Sequence, residues 1–124
     1  MYVRRDYPLK DKNPAYIVRL EKRNWIRVEN EGGYVAKFFI QYEENGSTVT
    51  KESGDLPILS HKVWHLPPET RKVLINAQGH TGLKWNTIHR GDVAVNCTYT
   101  AGGTAPAKSQ WLRVEDATGK KASY

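Results

Sequence analysis

Cysteine is almost missing from this chain. Cys97 is the only one in 124 residues, so no internal disulfide staples the fold. Long apolar runs are missing too: runs such as Phe38-Phe39-Ile40 and Val93-Ala94-Val95 are short and none exceeds four residues, far from the roughly 20 a membrane-spanning helix needs. The start, Met1-Tyr2-Val3-Arg4-Arg5-Asp6, has positive charge with no apolar stretch behind it and does not read as a secretory leader. No segment of useful length shows a capped helical period. Catalytic signatures are equally scarce, with no Gly-x-Ser-x-Gly, no phosphate-binding loop and no dinucleotide fingerprint. The acidic residues Glu43, Glu44, Asp55 and Glu69 sit beside turn signals and read as solvated. An enzyme is not expected.

What remains suits one soluble-type domain. The chain is 26% charged and 39% hydrophobic, and a domain of this length buries about two thirds of its unfolded surface. Its net charge of +6 favours anionic partners: lipid head groups, acidic glycans or nucleic acid. The excess is spread, from Lys10, Lys12, Arg19, Lys22, Arg23 and Arg27 early to Lys120 and Lys121 late. No basic helix or RNA-binding aromatic motif accompanies it, so nucleic acid is not expected as a partner.

The pattern that is present has period two. Tyr34, Ala36, Phe38, Ile40 and Tyr42 alternate with Lys37 and Gln41, as on a half-buried strand. Shorter runs repeat this over Tyr16–Leu20, Trp25–Val28, Thr48–Lys51, Arg71–Ala77, Asp92–Tyr99 and Trp111–Val114. Turn chemistry separates them at Glu31-Gly32-Gly33, Asn45-Gly46, Pro67-Pro68 and Gly102-Gly103. Short strands with a turn about every ten residues predict an all-β fold, a sandwich or a barrel. Residues 1–14 and 116–124 are polar and are expected to be loosely held ends. Cys97 falls in the Asp92–Tyr99 run and is expected to be buried.

Four histidines raise the question of metal. His61 and His65 lie four apart, roughly 13 Å along one strand face, too far to share an ion. His80 and His89 flank a short segment but have no Cys or carboxylate companion placed to complete a site. Neither metal nor another cofactor is expected. Two glycosylation sequons, Asn45-Gly46-Ser47 and Asn96-Cys97-Thr98, are present, the second in a predicted strand.

The most distinctive stretch is Gln78 to Arg90. A long loop is predicted here, carrying Leu83, Trp85 and Ile88 beside Lys84, His89 and Arg90. Apolar and cationic groups so mixed suit a membrane interface; the alternative is that Leu83 and Trp85 fold back onto the protein. Gly79-His80-Thr81-Gly82-Leu83-Lys84-Trp85-Asn86-Thr87-Ile88-His89 resembles the Trp-rich eleven-residue loop of the cholesterol-dependent (thiol-activated) cytolysins, Glu-Cys-Thr-Gly-Leu-Ala-Trp-Glu-Trp-Trp-Arg. Gly32-Gly33-Tyr34-Val35-Ala36-Lys37-Phe38 is similar to that family's Gly-Ala-Tyr-Val-Ala-Gln-Phe strand. Arg71-Lys72-Val73-Leu74-Ile75-Asn76-Ala77 is similar to its Arg-Asn-Ile-Arg-Ile-Lys-Ala strand, and roughly residues 15–106 are covered.

The resemblance is to the family's C-terminal membrane-binding domain. It implies a sandwich of two antiparallel, roughly four-stranded sheets, with membrane-touching loops clustered at one tip. By position these loops are Glu31-Gly32-Gly33, Pro57-Ile58-Leu59, Thr81 to Arg90, and the turn around Gly102 to Pro106. The residues it marks for ligand or membrane are Thr81, Gly82, Leu83, Lys84, Trp85, Ile88, His89, Arg90, Ile58, Leu59 and Thr104. Thr104 is included because the family's sterol-recognising Thr-Leu pair falls nearest Gly103-Thr104 or Thr104-Ala105. The family's loop Cys is His80 here, and Thr87 and Ile88 replace two of its tryptophans.

A chain of this length carries none of the family's pore-forming domains and is expected to dock without building a transmembrane barrel. The partner implied is a membrane lipid surface, with a cell-surface glycan or a partner protein as alternatives. Homo-oligomerisation is one way to multiply weak contacts. A secreted or peripheral-membrane location follows only from the resemblance.

Overall fold

The computed structural model describes residues 23–124; the strand predicted over Tyr16–Leu20 and the N-terminal end lie outside them. Nine strands and one short 3-10 turn make up the described chain: β1 (Asn24–Asn30), β2 (Ala36–Glu44), β3 (Ser47–Glu52), β4 (His61–Leu66), β5 (Lys72–His80), β6 (Trp85–Ala94), β7 (Cys97–Gly103), the turn Ala107–Ser109, β8 (Gln110–Asp116) and β9 (Lys121–Ser123). They form a β-sandwich of two sheets, β4-β1-β7-β8-β9 and β3-β2-β5-β6.

Alternation explains the layers. In β1 the residues Ile26 and Val28 face inward, and in β2 Ala36, Phe38, Ile40 and Tyr42 do so. They meet Val73, Ile75 and Ala77 of β5, Tyr99 and Ala101 of β7 and Leu112 of β8 in one buried cluster. Asn45 and Gly46 both have positive φ, the two-residue turn that Asn-Gly favours between twisted antiparallel strands. Nearly every residue of β3 is exposed and polar, as suits a sheet edge.

The expected sandwich of two roughly four-stranded sheets is present, with five strands in the larger sheet and one parallel pairing, β1 with β7, Val28 opposite Tyr99. Three expectations need correction. The run Asp92–Tyr99 is not one strand. Asn96 turns the chain at φ 62°; its Oδ1 accepts from Trp25 N (3.0 Å) and its Nδ2 donates to Asn24 Oδ1 (3.1 Å). That corner carries the chain from one sheet to the other. Cys97 is buried just beyond it, and burial pushes its thiol pKa up.

The C-terminal end is not loose either. Arg113, Val114 and Glu115 of β8 pair with Ser123, Ala122 and Lys121 of β9. Tyr124 stacks on His89 at 4.3 Å between ring centroids, covering the side of the sandwich where β6 faces β8 and β9. Finally, most of the long loop predicted between Gln78 and Arg90 is strand. β5 runs to His80 and β6 starts at Trp85, leaving a turn of Thr81 to Lys84.

Candidate functional site at the loop end

Strand direction alone gathers four connections at one end: residues 31–35, 53–60, 81–84 and 104–109. All four loops marked above reach this end.

Asn30, the last residue of β1, organises it. Its side chain is fully buried; Nδ2 donates to Tyr34 O (2.6 Å) and Leu56 O (2.9 Å), and Oδ1 accepts from Gly32 N (2.8 Å). Its main chain binds Ser60 O and Leu59 N at 3.0 and 2.7 Å. One residue therefore fastens the β1–β2 loop to the β3–β4 loop.

Tyr34 fastens the other two connections. Its hydroxyl donates to Gly102 O at 2.6 Å, and Gly33 N donates to Gly103 O at 3.0 Å. The Tyr34 ring lies against Gly32 and Gly79, where any Cβ would overlap it. Burial pushes the Tyr34 hydroxyl up to about 12, because its anion would lose solvation. His80 N donates to Val35 O (2.9 Å). Across the sandwich, Gln110 Oε1 accepts from Asn86 Nδ2 (2.9 Å) and Gln110 Nε2 donates to Ala105 O (2.8 Å).

The β5–β6 turn is locally built. Thr81 Oγ1 accepts from Leu83 N (3.3 Å) and Lys84 N (3.2 Å), and Gly82 takes φ 98°. A hydroxyl satisfying successive backbone amides fixes such a turn without help from packing. Leu83 therefore stands out from it, 93% exposed. Leu59 is 82% exposed and Ile58 54%; Val35 is also open, as are Gly82, Lys84 and Thr104.

The remaining marked residues are placed elsewhere. Trp85 is half-buried on the outer face of the four-stranded sheet, edge-on to His80 at 5.0 Å and with Lys37 Nζ 4.6 Å from its ring centre. It is neither in the core nor projecting from the end. Ile88 is the extra residue of a β-bulge between the rungs Ala77–His89 and Gln78–Thr87, and it packs against the core. His89 points inward onto Tyr124 with Nε2 buried and unpaired, so that nitrogen faces the protein and not the loop end. Arg90 is opposite Asn76 and lines a shallow concavity with Phe39 and Leu74 on the outer face of the four-stranded sheet. His80 and His89 thus occupy opposite faces of the β5–β6 pair, and no group of three metal-ligating side chains forms among the described residues.

Residues 25–105 match the thiol-activated cytolysin beta sandwich domain. The chain belongs to that family. Solved structures agree on the fold. The membrane-binding domain of pneumolysin has a TM-score of 0.57 at 17% identity, over 75% of this chain and 96% of that one. Suilysin from Streptococcus suis scores 0.58 at 22% identity over 75% of this chain, and a Gram-negative toxin scores 0.58 at 26% identity over 77%. The chain spans 23% of the length of each of these two toxins. Among curated proteins no sequence matches.

Sequence reasoning missed Asn30, Tyr34 and Gln110 as the frame of the loop end. Asn30 directly before Glu31-Gly32-Gly33 was the available signal, since Asn favours side-chain bonds to the backbone of a following turn.

Proposed function

We propose that the loop end docks onto a membrane lipid surface, and that the chain acts as a binding module without catalysis. The observation that carries this reading is Leu59. It is 82% exposed and sits at φ 70°, a conformation that costs a residue with a Cβ about 1–2 kcal/mol. For folding alone, Gly or Asn would serve better there. A strained apolar side chain held in water is explained by a partner that covers it. Leu83, Ile58 and Val35 share its end of the molecule, with the cations Lys84 and Lys108 exposed beside them. Family membership supports the same reading, as does the name of the pneumolysin domain.

Burying Leu59, Leu83 and Ile58 contributes about 5 kcal/mol before association costs. Trp85 and Ile88 add little, being already engaged with the protein.

The test is flotation with phosphatidylcholine vesicles, with and without cholesterol, at two salt concentrations. The double variant Leu59→Gly/Leu83→Ala is expected to lose flotation while its thermal midpoint stays within a few degrees, since neither side chain supports the core. Unchanged flotation would remove these loops from the interface. Binding to immobilised sugar without lipid would redirect the reading to a glycan.

A further inference from the structure

One large apolar side chain at this end belongs to none of the four loops. Trp111 is 39% exposed, one residue into β8. Inward-facing Leu112 follows it, so the indole points out of the five-stranded sheet, opposite Gly102 on the second rung from the loop end. A Cβ on Gly102 would overlap the indole; the ring lies flat on bare backbone with part of its surface open.

We propose that Trp111 is an interfacial anchor that seats the five-stranded sheet against the lipid head-group layer and so fixes the tilt of the docked domain. This rests on the docking reading above.

Two features favour it. Trp111 is followed on the same strand face by Arg113, whose guanidinium lies 5.5 Å from the ring centre and 3.5 Å from Glu31. Going away from the loop end, the order is indole, then cation, which matches the depth order of an interface: ring among head groups, charge at phosphate level or beyond. The other feature is placement. Leu83 rides on the hairpin of the four-stranded sheet, and Ile58 and Leu59 lie in the β3–β4 connection. Contacts at those points alone leave the domain free to rock toward the β7–β8 side. Trp111 supplies a support on the β7–β8 side, with Lys108 exposed in the adjoining turn. Trp85, with Lys37 over its ring and His80 against it, has no comparable open face.

Fluorescence with vesicles of brominated phosphatidylcholine tests this. In a Trp85→Phe chain, Trp111 is the indole left at the loop end, because Trp25 is the second residue of β1, at the opposite end, and Trp64 is buried. Vesicles are expected to quench and blue-shift the emission of that chain. Adding Trp111→Phe, which keeps an aromatic ring over Gly102 and so preserves the fold, is expected to abolish both changes. Trp111→Ala is expected to weaken vesicle binding about tenfold. Equal quenching of the Trp85→Phe and Trp85→Phe/Trp111→Phe chains, with wild type floating normally, overturns the role of Trp111 and leaves docking intact. A wild type that does not float overturns both.

Discussion

Replacing Asn30 with Leu tests whether one buried amide holds the loop end together. The two side chains share one branched shape of four heavy atoms, so no cavity is left; the bulkier methyls add crowding against the Tyr34 and Leu56 carbonyls to the outcome. Three hydrogen bonds vanish, to Tyr34 O, Leu56 O and Gly32 N. Their losses are unequal. Leu56 O still accepts from Ala36 N at 3.0 Å, whereas Tyr34 O and Gly32 N lose the partner that satisfies them. Stranding a buried backbone group costs about 1–3 kcal/mol, so the destabilisation is about 2–6 kcal/mol. That is a large share of the roughly 5–15 kcal/mol that stabilises a domain. With a urea slope of about 2 kcal/mol per molar, the midpoint falls by about 1–3 M. Hydrogen exchange at the Gly32 and Leu59 amides accelerates more than at Ile75 in the core. Asn30→Asp is the sharper comparison: it keeps an acceptor for Gly32 but turns a carboxylate toward two carbonyls. It is expected to be less stable than the Leu variant at neutral pH and to recover partly in acid, when the carboxyl can donate. A Leu variant within about 1 kcal/mol of wild type would refute the assignment.

Gly79→Ala places a Cβ 2.6 Å from both Tyr34 Cε2 and Gln110 Oε1; overpacking of this kind costs about 1–3 kcal/mol. Gly33→Ala meets nothing within 4 Å and should be nearly neutral, so equal thermal melts for the two would contradict the packing. Tyr34 predicts alkaline lability. Its folded pKa of about 12 exceeds the ordinary 10.0, so the folded form holds its proton after the unfolded form has lost it. Its contribution is complete below pH 10 and disappears as pH climbs toward 12, at most about 2–3 kcal/mol. Urea titrations across that window should show a shallower fall for Tyr34→Phe than for wild type; matching slopes would assign the lability elsewhere, with Tyr99, also raised by burial, the next tyrosine to test.

Legibility in the sequence follows how local each interaction is. β2 was readable because Ala36, Phe38, Ile40 and Tyr42 alternate without interruption. β6 was not, since the bulge at Ile88 brings Ile88 and His89 inward in succession and destroys the period. The corner at Asn96 was hidden for the opposite reason: apolar residues continue on both sides of it, so alternation passes smoothly from one sheet to the other. The parallel pairing of β1 with β7 joins segments about seventy residues apart in sequence, and no local pattern records it. Leu83 at a turn was legible from Thr81-Gly82; Trp85 as a strand residue braced by Lys37 was not, because Lys37 comes from a different hairpin. The resemblance located the loops, while geometry decided which of their residues remain free.

That distinction bears on how a weak interface can still be selective. Three or four aliphatic side chains supply only about 5 kcal/mol of burial, and association alone consumes several. Flexible loops would add an ordering cost for each side chain immobilised. Here the loops are already ordered by Asn30, Tyr34 and the Thr81 turn, and Leu59 is held in a strained conformation before any partner arrives. Most of the conformational cost of the proposed docking would therefore be met during folding, at the expense of stability. The sandwich behind the loops tolerates this because its two sheets share one continuous buried cluster. On the proposed docking reading a single chain would bind only modestly, and strong attachment would require several loop ends engaged on one surface, where each added contact becomes intramolecular.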